Sequence, residues 1–473
     1  MGNPFCPLPS AFCPLPSALC LLPSALCLLP SAFCLLVNWM DSKQRPIGVD
    51  LFAGAGGMSL GFEQAGFDVL AAVELDPIHC ATHKYNFPFW STLCQSVEYA
   101  TGEEIRKISA IGSQEIDVVF GGSPCQGFSM IGKRAFEDPR NALVFHYLRL
   151  VLELQPKYFV FENVPGLTVG KHRQFLLEII EKFRESGYEV ETNYQVLNAA
   201  NYGVPQHRAR LFLLGCRQGL DLPEYPQPQT QPAKSKKSVG IVLNPDLPNT
   251  PTVWEAIGDL PEVNFYPELL SRDWVIAEYD KPSNYSKKLR GLDRSADDYS
   301  YERLFDSRIL TSSIRTKHST ESILRFQQTE PGETEPISRF HKLDKHGICN
   351  TLRAGTASNR GAFTSPRPIH PESPRCITVR EAARLHSYPD WFRFHVTKWH
   401  GFRQVGNSVP PLLAKAIATS IIRVLGVVPV KPQTKMHLGD ESLLKLNMSQ
   451  AAQYYGVSAH VIEPRRKPIK DKF

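Results

Sequence analysis

A cysteine in this chain occupies a position suited to nucleophilic catalysis. The apolar run 116–120 predicts a buried strand, and Cys125 follows it after two glycines, a serine and Pro124. Open α/β sheets carry out their chemistry at the carboxyl ends of such strands. The glycines let a ligand approach the backbone closely, and the proline ring fixes the turn. The alternative is a small buried apolar residue, which is the usual state of a free cysteine.

An acid and two arginines stand at the ends of two later predicted strands. Glu162 lies near the carboxyl end of the run 158–165, where burial would raise the pKa of its carboxyl and let it hold or share a proton near neutral pH. Arg208 and Arg210 precede the apolar run 211–216. Because alternate residues of a strand share one side, both guanidiniums would face an anionic or carbonyl-rich partner. The alternatives are a helix cap or ion pair for the acid and a surface ion-pair strip for the arginines.

A glycine turn between a predicted strand and a predicted helix indicates a nucleotide-like cofactor. The strand 47–52 leads into Gly54, Gly56 and Gly57, and a second strand ends in Glu74, eighteen residues after Gly56. An acid about 20 residues past such a turn binds ribose hydroxyls in nucleotide-binding folds. Methionine and serine follow the last glycine, so the turn is not G-x-G-x-x-G and favours a mononucleoside cofactor. The alternative is a tight strand-to-helix connection without a ligand.

These segments, with two later ones at 379–390 and 405–411, resemble the cytosine-C5 DNA methyltransferase family of bacterial type. The motifs follow the family's order and cover roughly residues 46–217 and 376–425, with a variable region between them. The resemblance implies an α/β fold, with a doubly wound, Rossmann-like S-adenosylmethionine-dependent methyltransferase domain and a smaller, loop-rich target-recognition domain. Double-stranded DNA would lie in the cleft between the two domains.

The resemblance also implies catalytic roles. Cys125 would attack C6 of a cytosine flipped out of the duplex, and Glu162 would protonate N3 so that negative charge does not build up on the ring. The methyl group of S-adenosylmethionine would then reach C5, and loss of the C5 proton would expel the cysteine. Arg210 and Arg208 would face the base O2 or hold the catalytic loop.

The same resemblance places the cofactor between the glycine turn and a distant part of the chain. Two positions depart from the family's usual pattern. Leu75 stands where many relatives carry an aromatic residue over the adenine, and Gln95 stands where relatives often have an acid for the adenine amino group. The residues expected to bind the cofactor are Phe52, Gly54, Gly56, Gly57, Glu74, Asn407 and Val409.

DNA contacts are expected from two regions. Gln126 and Ser129 would lie on the catalytic loop beside the phosphate backbone, as the resemblance implies. The variable region is rich in proline at its start and contains few long periodic segments, which is typical of loops. Within it, Arg353 and Arg367 are candidate groove or phosphate contacts. The alternative for both arginines is an ordinary solvated loop.

The chain divides into four predicted parts after a leader. Residues 40–217 form the catalytic and cofactor-binding domain, 218–375 the target-recognition domain, and 376–426 a return segment whose helix after residue 411 completes the catalytic domain. Residues 427–473 form a basic extension, in which the segment from Met448 resembles the opening of a small helix-turn-helix. The alternative for the extension is a solvated tail that packs weakly on the catalytic domain.

The leader, residues 1–39, repeats a seven-residue unit that contains a cysteine and a proline. Proline in successive units prevents a continuous helix, which argues against a transmembrane span, and no basic residue precedes the apolar stretch as a signal peptide requires. We expect the leader to be disordered or the product of translation from an upstream start codon, with the working chain beginning at Met40.

Composition sets further expectations. The 473 residues carry a net charge of +6, which suits a polyanionic partner such as DNA. Histidines and cysteines show no zinc-binding spacing, so we expect no metal, and the odd number of 11 cysteines suits a reducing compartment without disulfides. We expect a monomeric protein of the bacterial cytoplasm that binds no membrane. A partner restriction endonuclease leaves no sign in the chain.

Two alternative functions are considered. The tRNA-methylating branch of the family shares the chemistry but carries a Cys-Phe-Thr tripeptide in its variable region, and this chain contains no such tripeptide. A DNA-binding regulator that has lost catalysis is the second alternative, and the presence of Cys125, Glu162 and Arg210 argues against it.

Overall fold

The computed structural model describes residues 45–124, 142–170, 172–232, 239–355 and 367–461. The predicted leader, the Cys125 nucleophile and the two expected loop contacts Gln126 and Ser129 lie outside these ranges.

A mixed sheet of eight strands forms the centre of the described structure, in the order β3-β2-β1-β4-β5-β8-β6, with β7 paired to β8. The first five strands run parallel to one another, and the last three are antiparallel to β5 or to β8. The strands are β1 Ile47–Leu51, β2 Asp68–Glu74, β3 Ser91–Cys94, β4 Val118–Gly122, β5 Tyr158–Asn163, β6 Tyr188–Val190, β7 Gln195–Asn198 and β8 Ala209–Arg217.

Helices connect these strands and continue into the later parts of the chain. They are α1 Gly57–Ala65, α2 Pro77–Asn86, α3 Gly102–Ile108, α4 Ala142–Leu154, α5 His172–Glu185, α6 Val253–Ile257, α7 Asn284–Leu289, α8 Thr320–Gln328, α9 Val379–Leu385, α10 Lys398–Asn407, α11 Pro411–Leu425 and α12 Met448–Tyr455. The predicted α/β, Rossmann-like class is confirmed.

Strand register brings the chemically interesting residues to one edge of the sheet. Leu51 of β1 pairs with Gly121 of β4, and Gly122 pairs with Glu162 of β5. Because the carboxyl ends of parallel strands meet at the same edge, the glycine turn after β1, the acid that ends β2 and the segment after β4 converge there.

Helix α11 packs against α1, and its role in completing the catalytic domain stays a prediction. It begins at Pro411, where the missing N–H costs no hydrogen bond, and ends at Gly426 in a left-handed conformation with φ 65°. Its apolar stripe is buried, and it packs so closely on α1 that a Cβ on Gly61 would lie 2.6 Å from the Pro411 carbonyl oxygen. The stretch Lys398–Leu425 is long and apolar enough to span a membrane, but it comprises two helices and 61% of its most apolar window is buried inside the protein.

The region 218–375 is loop-rich, as expected. Apart from α8, its described helices are one or two turns long, and its strands β9 Val275–Ile276, β10 Glu302–Leu304 and β11 Ile309–Leu310 are short. It is firmly joined to the rest, because Arg303 of β10 forms a fully buried ion pair with Glu63 of α1. The described residues from 45 onward form one compact unit, so the domain boundaries at 217, 375 and 426 stay predictions.

The described part of the C-terminal extension is also well packed. Its strand β12 Lys435–His437 pairs in parallel with β10, and a 3-10 helix Glu441–Lys445 precedes α12. Leu444 and Ala451 are fully buried. The alternative of a weakly packed, solvated tail is therefore wrong for residues 435–455, and the helix-turn-helix stays a prediction.

Candidate active site

A cavity of about 630 Å³ opens at the carboxyl edge of the sheet. The glycine turn after β1 bounds one side, and the end of β5 with the start of β8 bounds another. Eight of the expected catalytic and cofactor-binding residues line the cavity, and Gly56 does not: the eight are Phe52, Gly54, Gly57, Glu74, Glu162, Arg210, Asn407 and Val409.

The glycine turn has a backbone that other residues would strain. Gly54 and Gly56 have φ of 57° and 101°, and Phe52 also has a positive φ of 64°, which is uncommon for a bulky residue and is typical of functional turns. A Cβ on Gly56 would lie 2.5 Å from a ring carbon of Phe87, and one on Gly57 would lie 2.6 Å from the Val409 carbonyl oxygen. The turn therefore packs tightly and allows the distant segment around Val409 to reach the cavity.

Glu74 is fixed at the edge of the cavity by backbone hydrogen bonds. Its Oε2 accepts from the Gly54 N–H at 2.8 Å, and its Oε1 accepts from the Asp76 N–H at 2.8 Å. A carboxylate can accept about four hydrogen bonds, so capacity remains for a ligand's hydroxyl groups. Leu75 and Gln95 line the cavity nearby.

Several cavity residues were missed from the sequence, among them Asp76, His79 and Arg403. Asp76 caps α2 and accepts a hydrogen bond from Arg403 at 3.0 Å. Burial alone would raise the pKa of Asp76, but the positive charges of His79 and Arg403 lower it below its usual value. An Asp-Pro pair directly after a strand is a helix-start signal that could have identified this acid.

Asp50 was also missed, because it interrupts an apolar strand pattern. It is buried on β1, lines the cavity and accepts a hydrogen bond from Ser59 Oγ at 2.6 Å. Burial raises the pKa of its carboxyl to about 8, the Ser59 hydrogen bond opposes this rise, and the Glu74 carboxylate adds to it.

Glu162 and Arg210 form an ion pair in the cavity wall. Arg210 Nε lies 2.8 Å from Glu162 Oε1, with side-chain exposures of 14% and 11%. The pairing of β5 with β8 and of β5 with β4 places the acid between the arginine and Gly122. Burial raises the pKa of Glu162, and the charge of Arg210 opposes but does not cancel that rise. The carboxyl thus holds a proton to higher pH than an exposed glutamate does, which suits a proton donor.

The segment that leads to Cys125 enters the same cavity. Ser123 and Pro124 line it, and Asn163 Nδ2 donates a hydrogen bond to the Ser123 carbonyl oxygen at 3.2 Å. Cys125 itself lies outside the described residues, but the residue directly before it borders the cavity that contains Glu162.

Arg208 does not line the cavity, in contrast to the expectation that both arginines face one partner. It precedes β8, is fully buried, and donates hydrogen bonds to the carbonyl oxygens of Leu352 at 2.8 Å and Gly406 at 2.7 Å. These two hydrogen bonds turn the guanidinium toward the carbonyls and not into the cavity. The expectation was wrong because the alternation that holds within a strand does not extend to the residue before it. The placement indicates a role in joining the segments next to Arg353 and Asn407.

The two candidate DNA-contacting arginines differ in exposure. Arg353 is exposed and follows Leu352, which the buried Arg208 holds. Arg367 is partly buried, with its guanidinium 5.2 Å from the centre of the Phe402 ring, and burial lowers its pKa. Their contacts with DNA stay predictions. Within the described ranges, no group of three or more histidine, cysteine, aspartate or glutamate side chains could hold a metal ion.

Comparison with known proteins identifies the family. The sequence model of the C-5 cytosine-specific DNA methylases matches residues 48–423. The chain is 60% identical over 425 residues to the type II methyltransferase M.XorII of Xanthomonas oryzae pv. oryzae, covering 90% of this chain and 96% of that protein. It is 31% identical over 430 residues to M.AgeI of Thalassovita gelatinovora, covering 79% and 98% of the two chains.

A solved structure agrees with the sequence comparisons. The crystal structure of a DNA modification methyltransferase encoded within an E. coli prophage is similar, with a TM-score of 0.63 and 34% identity, covering 80% of this chain and 99% of that one. The family match spans the glycine turn, the Glu162 and Arg210 pair and the segment 406–409, all of which line the cavity. The chain belongs to the C-5 cytosine-specific DNA methylases.

Proposed function

We propose that this protein is a type II DNA (cytosine-5) methyltransferase that transfers a methyl group from S-adenosylmethionine to C5 of a flipped cytosine in a specific duplex sequence. The observation that carries the proposal is the buried ion pair of Glu162 and Arg210, in a cavity that the glycine turn and the segment before Cys125 also line. The type II assignment rests on the 60% identity to M.XorII. The protein would act as a monomer in the bacterial cytoplasm.

The residues at the glycine turn suit S-adenosylmethionine, which supplies the methyl group when bound. A Cβ on Gly54, which lines the cavity, would meet nothing within 4 Å, so a ligand has space beside the backbone there, whereas Gly56 and Gly57 serve the tight packing of the turn. Glu74 offers acceptor capacity for ribose hydroxyls, and Leu75 provides an apolar surface for the adenine. Phe52, Gly54, Asn407 and Val409 line the rest of this part of the cavity.

Cytosine C5 is a weak nucleophile, so a nucleophile of the enzyme must first add to the ring and increase the electron density at C5. The Cys125 thiolate would form a bond to C6, and the Glu162 carboxyl would give its proton to N3 as the ring accepts the electron pair. Once C5 carries the new methyl group, the C5 proton passes to solvent, the electrons of the C5–H bond form the C5–C6 double bond, and the bond between sulfur and C6 breaks. N3 returns its proton to the Glu162 carboxylate. The thiolate is thereby restored.

Arg210 would stabilise charge on the base while it holds Glu162 in place. A guanidinium beside a buried carboxyl keeps the acid's orientation fixed, and its positive charge would stabilise negative charge at the base O2. Arg208 would act through the backbone, because its hydrogen bonds join the segment before Arg353 to the segment before Asn407.

Residues 218–375 would recognise the DNA target sequence, with the duplex in the cleft between them and the cavity. Arg353 is exposed beside the cavity residues Ala354 and Gly355, which suits a DNA contact. Gln126, Ser129 and Arg367 are further proposed contacts. Contacts to phosphates would position the duplex, and contacts to base edges would select the target.

A methyl-transfer assay tests this function. The purified full chain with radiolabelled S-adenosylmethionine should label duplex DNA and leave tRNA unlabelled. Replacing Cys125 with serine or Glu162 with glutamine should lower the rate by about 10³-fold or more while the melting temperature stays close to that of the wild type.

Cys216 provides a matched control. Burial raises the pKa of its thiol to about 11, so it holds little thiolate at neutral pH and Cys216→Ser should retain the methylation rate of its folded fraction. Labelled tRNA with unlabelled DNA would favour the tRNA-methylating branch. A folded protein that binds DNA and labels neither substrate would favour the regulator.

A further inference from the structure

We propose that residues 435–455, the C-terminal brace, position helix α2 against the cofactor cavity and thereby set the affinity for S-adenosylmethionine. The brace contributes no residue to the cavity wall, so its effect would pass through α2. The inference rests on the proposed function, because it requires that the cofactor binds in this cavity.

Helix α2 has the cavity on one side and the brace on the other. Asp76 and His79 at its start line the cavity. Ala81 and Tyr85, one and two turns further along, pack against Leu443 and Leu444 of the brace. A shift of the helix away from the brace would therefore move the two cavity residues as well.

Backbone contacts fix the distance between α2 and the brace. The Gly439 N–H donates to the Tyr85 carbonyl oxygen at 2.8 Å. A Cβ on Gly439 would lie 2.9 Å from Tyr85 Cα, which is backbone and cannot rotate away. Glycine is thus required at this contact, and a larger residue would push the two segments apart.

The brace also holds the segment that precedes α10. The Val396 N–H donates to the Leu444 carbonyl oxygen at 3.1 Å, and a ring nitrogen of His395 is 3.0 Å from the Leu446 carbonyl oxygen. The His395 N–H donates to Gln404, which lines the cavity and donates in turn to Thr82 of α2. Two routes of direct contacts therefore lead from the brace to the cavity wall.

The brace has its own anchor outside the cavity. Strand β12 pairs with β10 of the recognition region, and Glu441 pairs with Arg393, whose guanidinium also approaches Asp273. Arg393 also lies over the Tyr85 ring, and its backbone N–H and carbonyl oxygen bond the Asn86 side chain at the end of α2. The anchor therefore holds the brace and the end of α2 together.

Two brace variants test the proposal in the full-length protein. Leu444→Ala removes packing against α2, and Gly439→Ala forces the two segments apart. We expect each to weaken S-adenosylmethionine binding by about tenfold, because small displacements of positioning groups cost up to about 10²-fold, while KM for duplex DNA changes by less than about twofold. Isothermal titration calorimetry gives the cofactor Kd, and steady-state methylation gives the DNA KM.

Two controls separate positioning from a general loss of stability. Lys445 is exposed on the same 3-10 helix, and Lys445→Ala should change neither quantity. Ile180 is buried on α5, and Ile180→Ala should lower the melting temperature as Leu444→Ala does while the folded protein keeps its cofactor Kd.

The outcomes distinguish the two proposals. If the wild type binds S-adenosylmethionine and both brace variants bind it with the same affinity, the proposed role of the brace is wrong and the proposed function stands. If the wild type fails to bind S-adenosylmethionine, the proposed function is overturned as well. If Leu444→Ala does not fold, Gly439→Ala decides, and Glu441→Gln serves as a milder second variant because it removes only the ion pair with Arg393.

Discussion

Arg210 Nε lies 2.8 Å from Glu162 Oε1, and the two side chains meet across the antiparallel pairing of β8 and β5. Burial raises the pKa of the acid, whereas the arginine lowers it. The pair thus sets the pH range over which Glu162 can hold the proton that our mechanism requires.

Replacing Arg210 should move the pH dependence of methylation. In Arg210→Leu, loss of the positive charge raises the pKa of Glu162 further, so the protonated acid persists to higher pH. The fall in rate that accompanies deprotonation of Glu162 should then occur at higher pH than in the wild type, at a rate reduced by about 10²-fold. Single-turnover rates from pH 6 to 10 measure this. Arg210→Lys keeps the positive charge and should shift the pH-rate profile less. An unshifted profile in Arg210→Leu would show that deprotonation of Glu162 does not cause the fall in rate at high pH.

Asp50 should make the protein less stable as pH rises. Its pKa is about 8 in the folded protein and about 3.8 when exposed, so the folded state holds a proton that the unfolded state has lost between these values. The stability that this bound proton contributes is fully present below the unfolded-state pKa of about 3.8, and it is lost as pH rises through the folded-state pKa of about 8. Relative to Asp50→Asn, the wild type should lose up to about 1.4 kcal/mol of unfolding free energy per pH unit from pH 5 to 8. Urea melts of the cofactor-free proteins measure it, and a constant difference would contradict the assignment.

The buried ion pair between Arg303 and Glu63 should be critical for stability. Its guanidinium donates to both carboxylate oxygens, at 2.7 and 2.8 Å, and both side chains are inaccessible to solvent. Arg303→Met leaves a buried carboxylate unpaired and should lower the unfolding free energy by about 3–5 kcal/mol. The double variant with Glu63→Gln should recover part of that loss. Lys435→Ala, which breaks an exposed ion pair with Glu302 beside it, should cost less than about 1 kcal/mol.

Exchange of the region 218–375 for that of a relative should change which cytosine is methylated and leave the S-adenosylmethionine affinity nearly constant. The exchange should retain Tyr301 and Arg303, because both bond to residues of the cofactor-binding half. Sequencing of 5-methylcytosine in DNA from expressing cells reads the outcome. A folded exchange variant with the original methylation pattern would place specificity elsewhere.

The sequence was sufficient for the parts of the site that local patterns determine. Phe52, Glu74 and Glu162 lie at or next to the ends of apolar strands, and parallel pairing brings such ends together, so their convergence could be predicted. Asp50 could not be identified in this way, because the local sequence around an acid inside an apolar strand does not indicate that the acid borders a cavity.

Local sequence patterns do not predict contacts between distant parts of the chain. The hydrogen bonds of Arg208 reach residues 144 and 198 positions away, and the ion pair of Arg303 spans 240 positions. The packing of the brace could not be predicted for a related reason. Leu443 and Leu444 are both buried, but two adjacent apolar residues are too short a pattern to indicate a core. Their burial depends on α2, which lies over 350 residues earlier in the chain.

A duplex with 5-fluorocytosine at the target position tests covalent catalysis by Cys125, because it traps the enzyme on the base. After methyl transfer no proton remains at C5, so the bond between sulfur and C6 cannot break. The wild type should form a protein-DNA adduct that survives denaturation, requires S-adenosylmethionine and maps to Cys125 by peptide mass spectrometry, and Cys125→Ser should form none. An adduct that persists in Cys125→Ser, or that maps to Cys80, Cys94 or Cys216, would contradict the mechanism.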